Sequence, residues 1–255
     1  MIVVFLTVAV LLSSGVGSPP PVASAPAPAA TAPAAQPREV VFQFTYDESQ
    51  EQTTSEFGQP PDTQTMLSGY TGKVVVDFLG PPGDDVVHLS VTETSDAANN
   101  KRPIVRELFL RGGGHLYFVG PAPVVDANTE QSPAEGIELF LLLPYLAPDW
   151  SGSHPLESGS SWQTDRFGDF QNIGAKYSVS GIAKGVASIE ADSTAASPVP
   201  GALSLQVRVA YDTGAKLPIS LDAYAYWLQG GEVGRDDHAH YHFKLVSDTA
   251  AAAPR

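Results

Sequence analysis

The chain contains no cysteine. That excludes thiol catalysis, cysteine-ligated zinc, iron–sulfur clusters and acylation at a lipobox cysteine. It does not exclude export, because a domain of this size can bury a core without disulfides. Positive charge is scarce as well: 14 Lys and Arg stand against 28 Asp and Glu, a net charge of −14. The first charged residue is Arg38, so the whole excess lies from residue 38 onward. Such a domain repels phosphate backbones and anionic lipid, which argues against nucleic-acid binding and against docking on an anionic bilayer. Also missing are an internal repeat and an apolar run of the roughly 20 residues that a membrane-spanning helix needs.

What stands at the N-terminus is a shorter apolar run. Ile2 to Leu12 is unbroken except for Thr7. At about eleven residues it suits the hydrophobic region of a signal peptide. Small residues follow, and cleavage after Ser24, with Val22 at −3, fits the small-residue rule; a cut near Gly17 is the second option. No Lys or Arg precedes the run, so an uncleaved membrane anchor is the alternative to a signal peptide over 1–24. From Pro19 to Pro37, 15 of 19 residues are Pro or Ala. Such a stretch has no apolar face to bury and stays extended. Residues 25–37 therefore read as a linker, 38–248 as a single domain and 249–255 as a disordered tail. The expected location is extracytoplasmic: periplasmic, cell-surface or secreted.

Within the domain the dominant signal is alternation with period 2. Val40, Phe42, Phe44 and Tyr46 share one face. Tyr70, Val74, Val76 and Phe78 share another, as do Val87, Leu89 and Val91. Leu203 to Tyr211 and Ala239 to Leu245 alternate most cleanly. Further strands are predicted near 104–110, 115–119, 161–167, 174–182, 185–192 and 217–227. Gly, Pro, Asn and Asp clusters separate them. About ten strands with short connections predict a mainly β fold, a curved antiparallel sheet or open barrel with one wet face. One segment differs. Ser132-Pro-Ala-Glu135 has the form of a capping box with proline at the first helical position. The run Ile137 to Leu143 follows, with Glu138 as its lone polar residue, and Pro144 ends it. A helix apolar on nearly every side must be buried on nearly every side. The expectation is one short buried helix near 133–143, pressed into the concave face of the sheet.

Candidate chemistry is sparse. His238, His240 and His242, preceded by Asp236 and Asp237, share one strand face with neighbours about 6.6–6.8 Å apart. Two of them can ligate one metal ion; a third ligand must come from elsewhere. A zinc-bound water there would make a metal-assisted hydrolase. The plainer reading is a polar outer face opposite Tyr241 and Phe243. Asp212-Thr213-Gly214 matches the core motif of aspartic proteases. Such enzymes need two aspartates sharing a proton, and this chain has one copy, so the tripeptide reads as a hairpin turn. Ser158-Gly159-Ser160-Ser161 lacks the nucleophile-elbow form, and Gly72-Lys73 lacks the rest of a phosphate loop. Trp150, Trp162, Trp227, Tyr224 and Tyr226 offer faces for stacking on sugars, but aromatic rings chiefly fill cores.

The leucine-rich helix at Leu139 to Leu143, the strand start Gly159-Ser-Ser-Trp162 and the hairpin Asp212-Thr-Gly-Ala-Lys-Leu-Pro218 together resemble exported proteins of the LolA/LolB lipoprotein-carrier architecture. The resemblance implies an open antiparallel half-barrel with a helix in its concavity, and members that carry acylated ligands. On that basis and on the apolar run, the favoured function is a non-catalytic binding or carrier module for an apolar or amphipathic ligand, lipid included. Leu139, Phe140, Leu142, Leu143, Tyr145 and Trp162 are the candidate ligand-binding residues. A purely structural or adhesion domain is the rival.

Overall fold

The computed structural model describes residues 38–54, 60–80, 86–96, 103–120, 137–147, 149–167, 170, 173–194, 203–229 and 233–250, with side chains at most of them. The chain divides into Met1–Ala35 and Gln36–Arg255, and only the second contains described residues. Both the signal region and the capping box thus lie outside them.

Eleven strands are present among the described residues. They are β1 (Glu39–Thr54), β2 (Asp62–Phe78), β3 (Val86–Ser95), β4 (Ile104–Arg111), β5 (His115–Phe118), β6 (Ser161–Thr164), β7 (Gly174–Ala183), β8 (Val186–Thr194), β9 (Leu203–Asp212), β10 (Leu217–Gln229) and β11 (Val233–Asp248). They form one sheet in the order β5-β4-β3-β2-β1-β11-β10-β9-β8-β7-β6, with each pair antiparallel. The sheet is curved and unclosed, as the alternation predicted. Its two edges, β5 and β6, are only four residues long. Short edges offer few unpaired backbone groups to a foreign strand.

The order has a topological consequence. β5 and β6 follow one another in sequence yet lie at opposite edges of the sheet. The chain between them must therefore pass from one edge to the other. Of that connection, the described stretch α1 (Ile137–Leu142) and the 3₁₀ turn over Leu143–Leu146 that follows it are buried against the apolar face. The α-helix ends at Leu142, before Pro144, as predicted; the addition is the 3₁₀ turn, whose start leaves free the N–H that proline lacks and which closes with Ala147 N donating to Pro144 O at 3.3 Å.

Alternation sets the faces. Val40, Phe42, Phe44 and Tyr46 on β1, Leu203 to Tyr211 at alternate positions on β9, and Ala239, Tyr241 and Phe243 on β11 all point inward. β2 begins at Asp62, earlier than the alternation shows, because residues 62–69 are exposed throughout and leave no apolar period to read. The two termini of the domain are tied together. Arg38 forks onto Asp248, with Nε to Oδ1 at 2.9 Å and Nη2 to Oδ2 at 2.7 Å, and Glu39 N donates to Thr249 Oγ1 at 2.8 Å.

Candidate functional site

The concave site is built by the crossing segment. Leu139, Leu141, Leu142 and Leu143 are at most 1% exposed. Burying each such side chain contributes about 2 kcal/mol. The predicted residues Leu139, Phe140, Leu142, Leu143 and Tyr145 are indeed together here, all buried against the sheet. Phe140 holds a special place. Its ring lies 5.7 Å from that of Phe118 on edge strand β5 and 5.8 Å from that of Phe170, which follows edge strand β6. One side chain of α1 thus bridges the segments that end the two halves of the sheet.

Trp162 joins the same core through a chain of rings. It stacks on Tyr177 of β7 at 5.1 Å with an interplanar angle of 10°, and its centroid lies 6.0 Å from that of Trp150. Trp150 in turn meets Tyr145 at 4.9 Å and Tyr211 at 5.6 Å. Burial pushes the Tyr211 phenol up to about 12, and a hydrogen bond with Trp150 offsets part of that rise. The space left beneath the helix is about 10 Å³, bordered by Phe140, Tyr145, Trp150, Phe167 and Tyr177. That is room for about one water. The Tyr145 hydroxyl is buried with no hydrogen-bond partner, and burial, with the neighbouring Tyr177, raises its phenol well above the ordinary value. Sequence reasoning missed Phe118, Trp150, Phe167, Phe170 and Tyr177 as neighbours of the helix. They come from four separate segments, Phe167 and Phe170 sharing one, and no common period links them.

One glycine lets the segment sit so close. A Cβ on Gly114, whose φ is +81°, would lie 2.7 Å from Cβ and 3.0 Å from Cα of Pro144. Only a residue without a side chain fits this backbone against the 3₁₀ turn.

The histidines occupy the opposite face, as their phase against Tyr241 and Phe243 predicted. Across the β10–β11 ladder His238 pairs with Tyr226, His240 with Tyr224 and His242 with Asp222. Asp222 Oδ1 lies 2.7 Å from His242 Nδ1 and 3.4 Å from His240 Nε2. An aspartate that meets two of the imidazoles, His240 and His242, is therefore on the neighbouring strand β10. Among the described residues no group of three or more His, Asp or Glu is arranged to hold a metal ion. The Asp212 carboxylate is occupied by its turn: Oδ1 accepts from Gly214 N and Ala215 N, both at 2.8 Å. Trp150 and Trp162 fill the core as expected, whereas Tyr224 and Tyr226 do not. They are 42% and 37% exposed, because Ala223 and Ala225 take the inward positions.

No family model matches the chain, and no curated protein matches it. Among solved structures it is similar to one described as showing lipid–protein interactions in lipovitellin, at a TM-score of 0.45 and 11% identity. The match covers 85% of this chain and 26% of that one, so this chain spans about a quarter of the other's length.

Proposed function

We propose that this chain is an exported, non-catalytic binding or carrier module whose ligand is an apolar or amphipathic molecule with an acyl chain. The observation that carries the reading is the crossing segment itself. An unclosed sheet lays its apolar face against one short helix, and that helix spans the gap by packing Phe140 between Phe118 and Phe170. A closed barrel would need no such piece. The helix supplies the same apolar contacts that an acyl chain would supply, so the two can exchange. The pocket that Phe140, Tyr145 and Trp150 border has room for about one water, so an acyl chain taking the place of those contacts requires displacement of α1. The arrangement of sheet and helix supports the proposed resemblance to LolA/LolB-type carriers, and the apolar run at Ile2 to Leu12 supports the proposed export.

The test is native mass spectrometry of the full chain purified from its own host, with lipid extraction, joined to titration with a fluorescent fatty-acyl probe. A co-purifying lipid of defined mass, displaced by the probe, is the expected result. A clean apo mass with no probe uptake at micromolar concentration overturns the carrier reading and leaves a structural domain with a permanent plug.

A further inference from the structure

The outer face of the sheet carries a second site, independent of the concave one. Two adjacent rows of cross-strand partners define it. Leu67, Ser49, His238, Tyr226 and Ser204 lie in register across β2, β1, β11, β10 and β9. In the next row Asp47, His240, Tyr224 and Gln206 do the same. These rows line a groove of about 400 Å³. That is within the range of small-molecule sites.

Three observations define what the groove would take. First, its walls are aromatic. The Tyr224 ring is stacked on His240 at 4.3 Å and 3°, and Tyr226 lies 4.8 Å from His238. On the β9 side of Tyr226 the cross-strand partner is only Ser204, too short to cover a ring. Second, the charge is of one sign. Asp47 lines the groove, and among its described lining residues there is no Lys or Arg. Asp236, which accepts from the Tyr226 hydroxyl at 3.4 Å, and Asp222 flank it on the same face. The basic side chain nearest in register, Arg208 opposite Asp222, lies beside Glu190 at 3.8 Å. Third, large apolar surface stands free beside it: Leu67 is 80% exposed. Exposed tyrosine faces attract cations through the ring quadrupole, and carboxylates at the rim add a matching charge.

We propose that this groove binds a small organic cation, an alkylammonium group seated on Tyr224 and Tyr226 within the negative field of Asp47, Asp222 and Asp236 on the same face. Calorimetric and NMR titration of the full chain with choline, and with its neutral carbon isostere 3,3-dimethylbutan-1-ol, tests it. Choline is expected to shift the resonances of Tyr224, Tyr226 and His240 saturably, with the isostere about tenfold weaker. Tyr224→Ala and Tyr226→Ala should each weaken choline by about tenfold, while Tyr224→Phe, which keeps the ring, restores it. Asp47→Asn should weaken choline and leave the isostere unchanged. Equal binding of the isostere, shifts confined to other residues, no saturable binding, or the same resonances answering a neutral oligosaccharide instead would each overturn the proposal. Acyl-probe uptake at the concave site reports separately, since none of these residues faces it.

Discussion

The ring of Phe44 lies over the backbone of Gly72, its cross-strand partner on β2. A Cβ at Gly72 would fall well inside contact distance of Cε1 and Cζ of that ring, and 2.6 Å from the Thr94 carbonyl oxygen. Phe44 is also wedged between Phe243 at 5.7 Å and Tyr70 at 5.9 Å, so it has nowhere to move. Gly72→Ala is therefore expected to destabilise the domain by about 1–3 kcal/mol, the usual cost of overpacking. Urea unfolding measures it. Pairing it with Phe44→Leu should recover part of the loss, and strict additivity of the two would contradict the packing argument.

The Arg38–Asp248 pair joins the first strand to the last. Burial alone would raise the Asp248 carboxyl, but hydrogen bonds from Arg38 and from Ala250 N, with the Arg38 charge, outweigh it and hold the group below the usual carboxylate value. A folded-state pKa below the unfolded one gives stability that is fully present above the unfolded value, near 3.8, and is lost as pH falls through the lower folded value. Asp248→Asn should cost about 1.5–3 kcal/mol at neutral pH, as for hydrogen bonds to charged groups. The deficit should shrink in acid below that window. A deficit that is constant from neutral pH down into strong acid would refute the pairing.

Tyr145 places a hydroxyl in the core without a partner. Tyr145→Phe removes that desolvated group and leaves the ring contact with Trp150. Ligand-free protein should therefore become more stable by about 1 kcal/mol. A thermal melt that moves down instead would show that the hydroxyl is bonded, by a water or by a ligand's polar atom.

Phe140 is the bridge between the two edges, so Phe140→Ala should speed uptake as well as destabilise the ligand-free fold. The cavity it leaves would cost about 3–5 kcal/mol. The seated helix is weakened and the ligand-bound form is not, so an acyl probe should enter faster. Stopped-flow fluorescence reads the rate. An unchanged rate in a clearly destabilised variant would mean that the helix does not swing.

Much of the sheet was legible because a half-buried strand must alternate. β9 shows it at every position, and β1 shows it from Phe42 to Tyr46, after the irregularity at Val41. The Asp-Thr-Gly turn was legible for an equally local reason, a side chain that can close its own turn. The outer ends of β2 and β10 were not. Residues 62–69 are exposed on both faces and held by strand pairing with a few side-chain hydrogen bonds, Ser68 to Glu48 among them. The concave site was half legible: its apolar helix is one continuous run, while the rings around it come from distant segments.

Which face each residue of Ala223-Tyr-Ala-Tyr226 would show was beyond the sequence, since both phases of that stretch are hydrophobic. Hydrophobicity alone would place the tyrosines inside. Register decides otherwise: Ala223 is paired with Tyr241 and Leu221 with Phe243, whose large side chains already fill the inner layer. Small residues fit beside them, and the tyrosines are turned out onto the histidine face. By itself the sequence determined the strands, the turns and the apolar helix, because each depends on neighbours a few residues away. Only the tertiary structure decided that β5 and β6 lie at opposite edges, that α1 must cross between them and that an aromatic groove opens on the far side. Those follow from pairing and volume across the whole sheet, which no local pattern encodes.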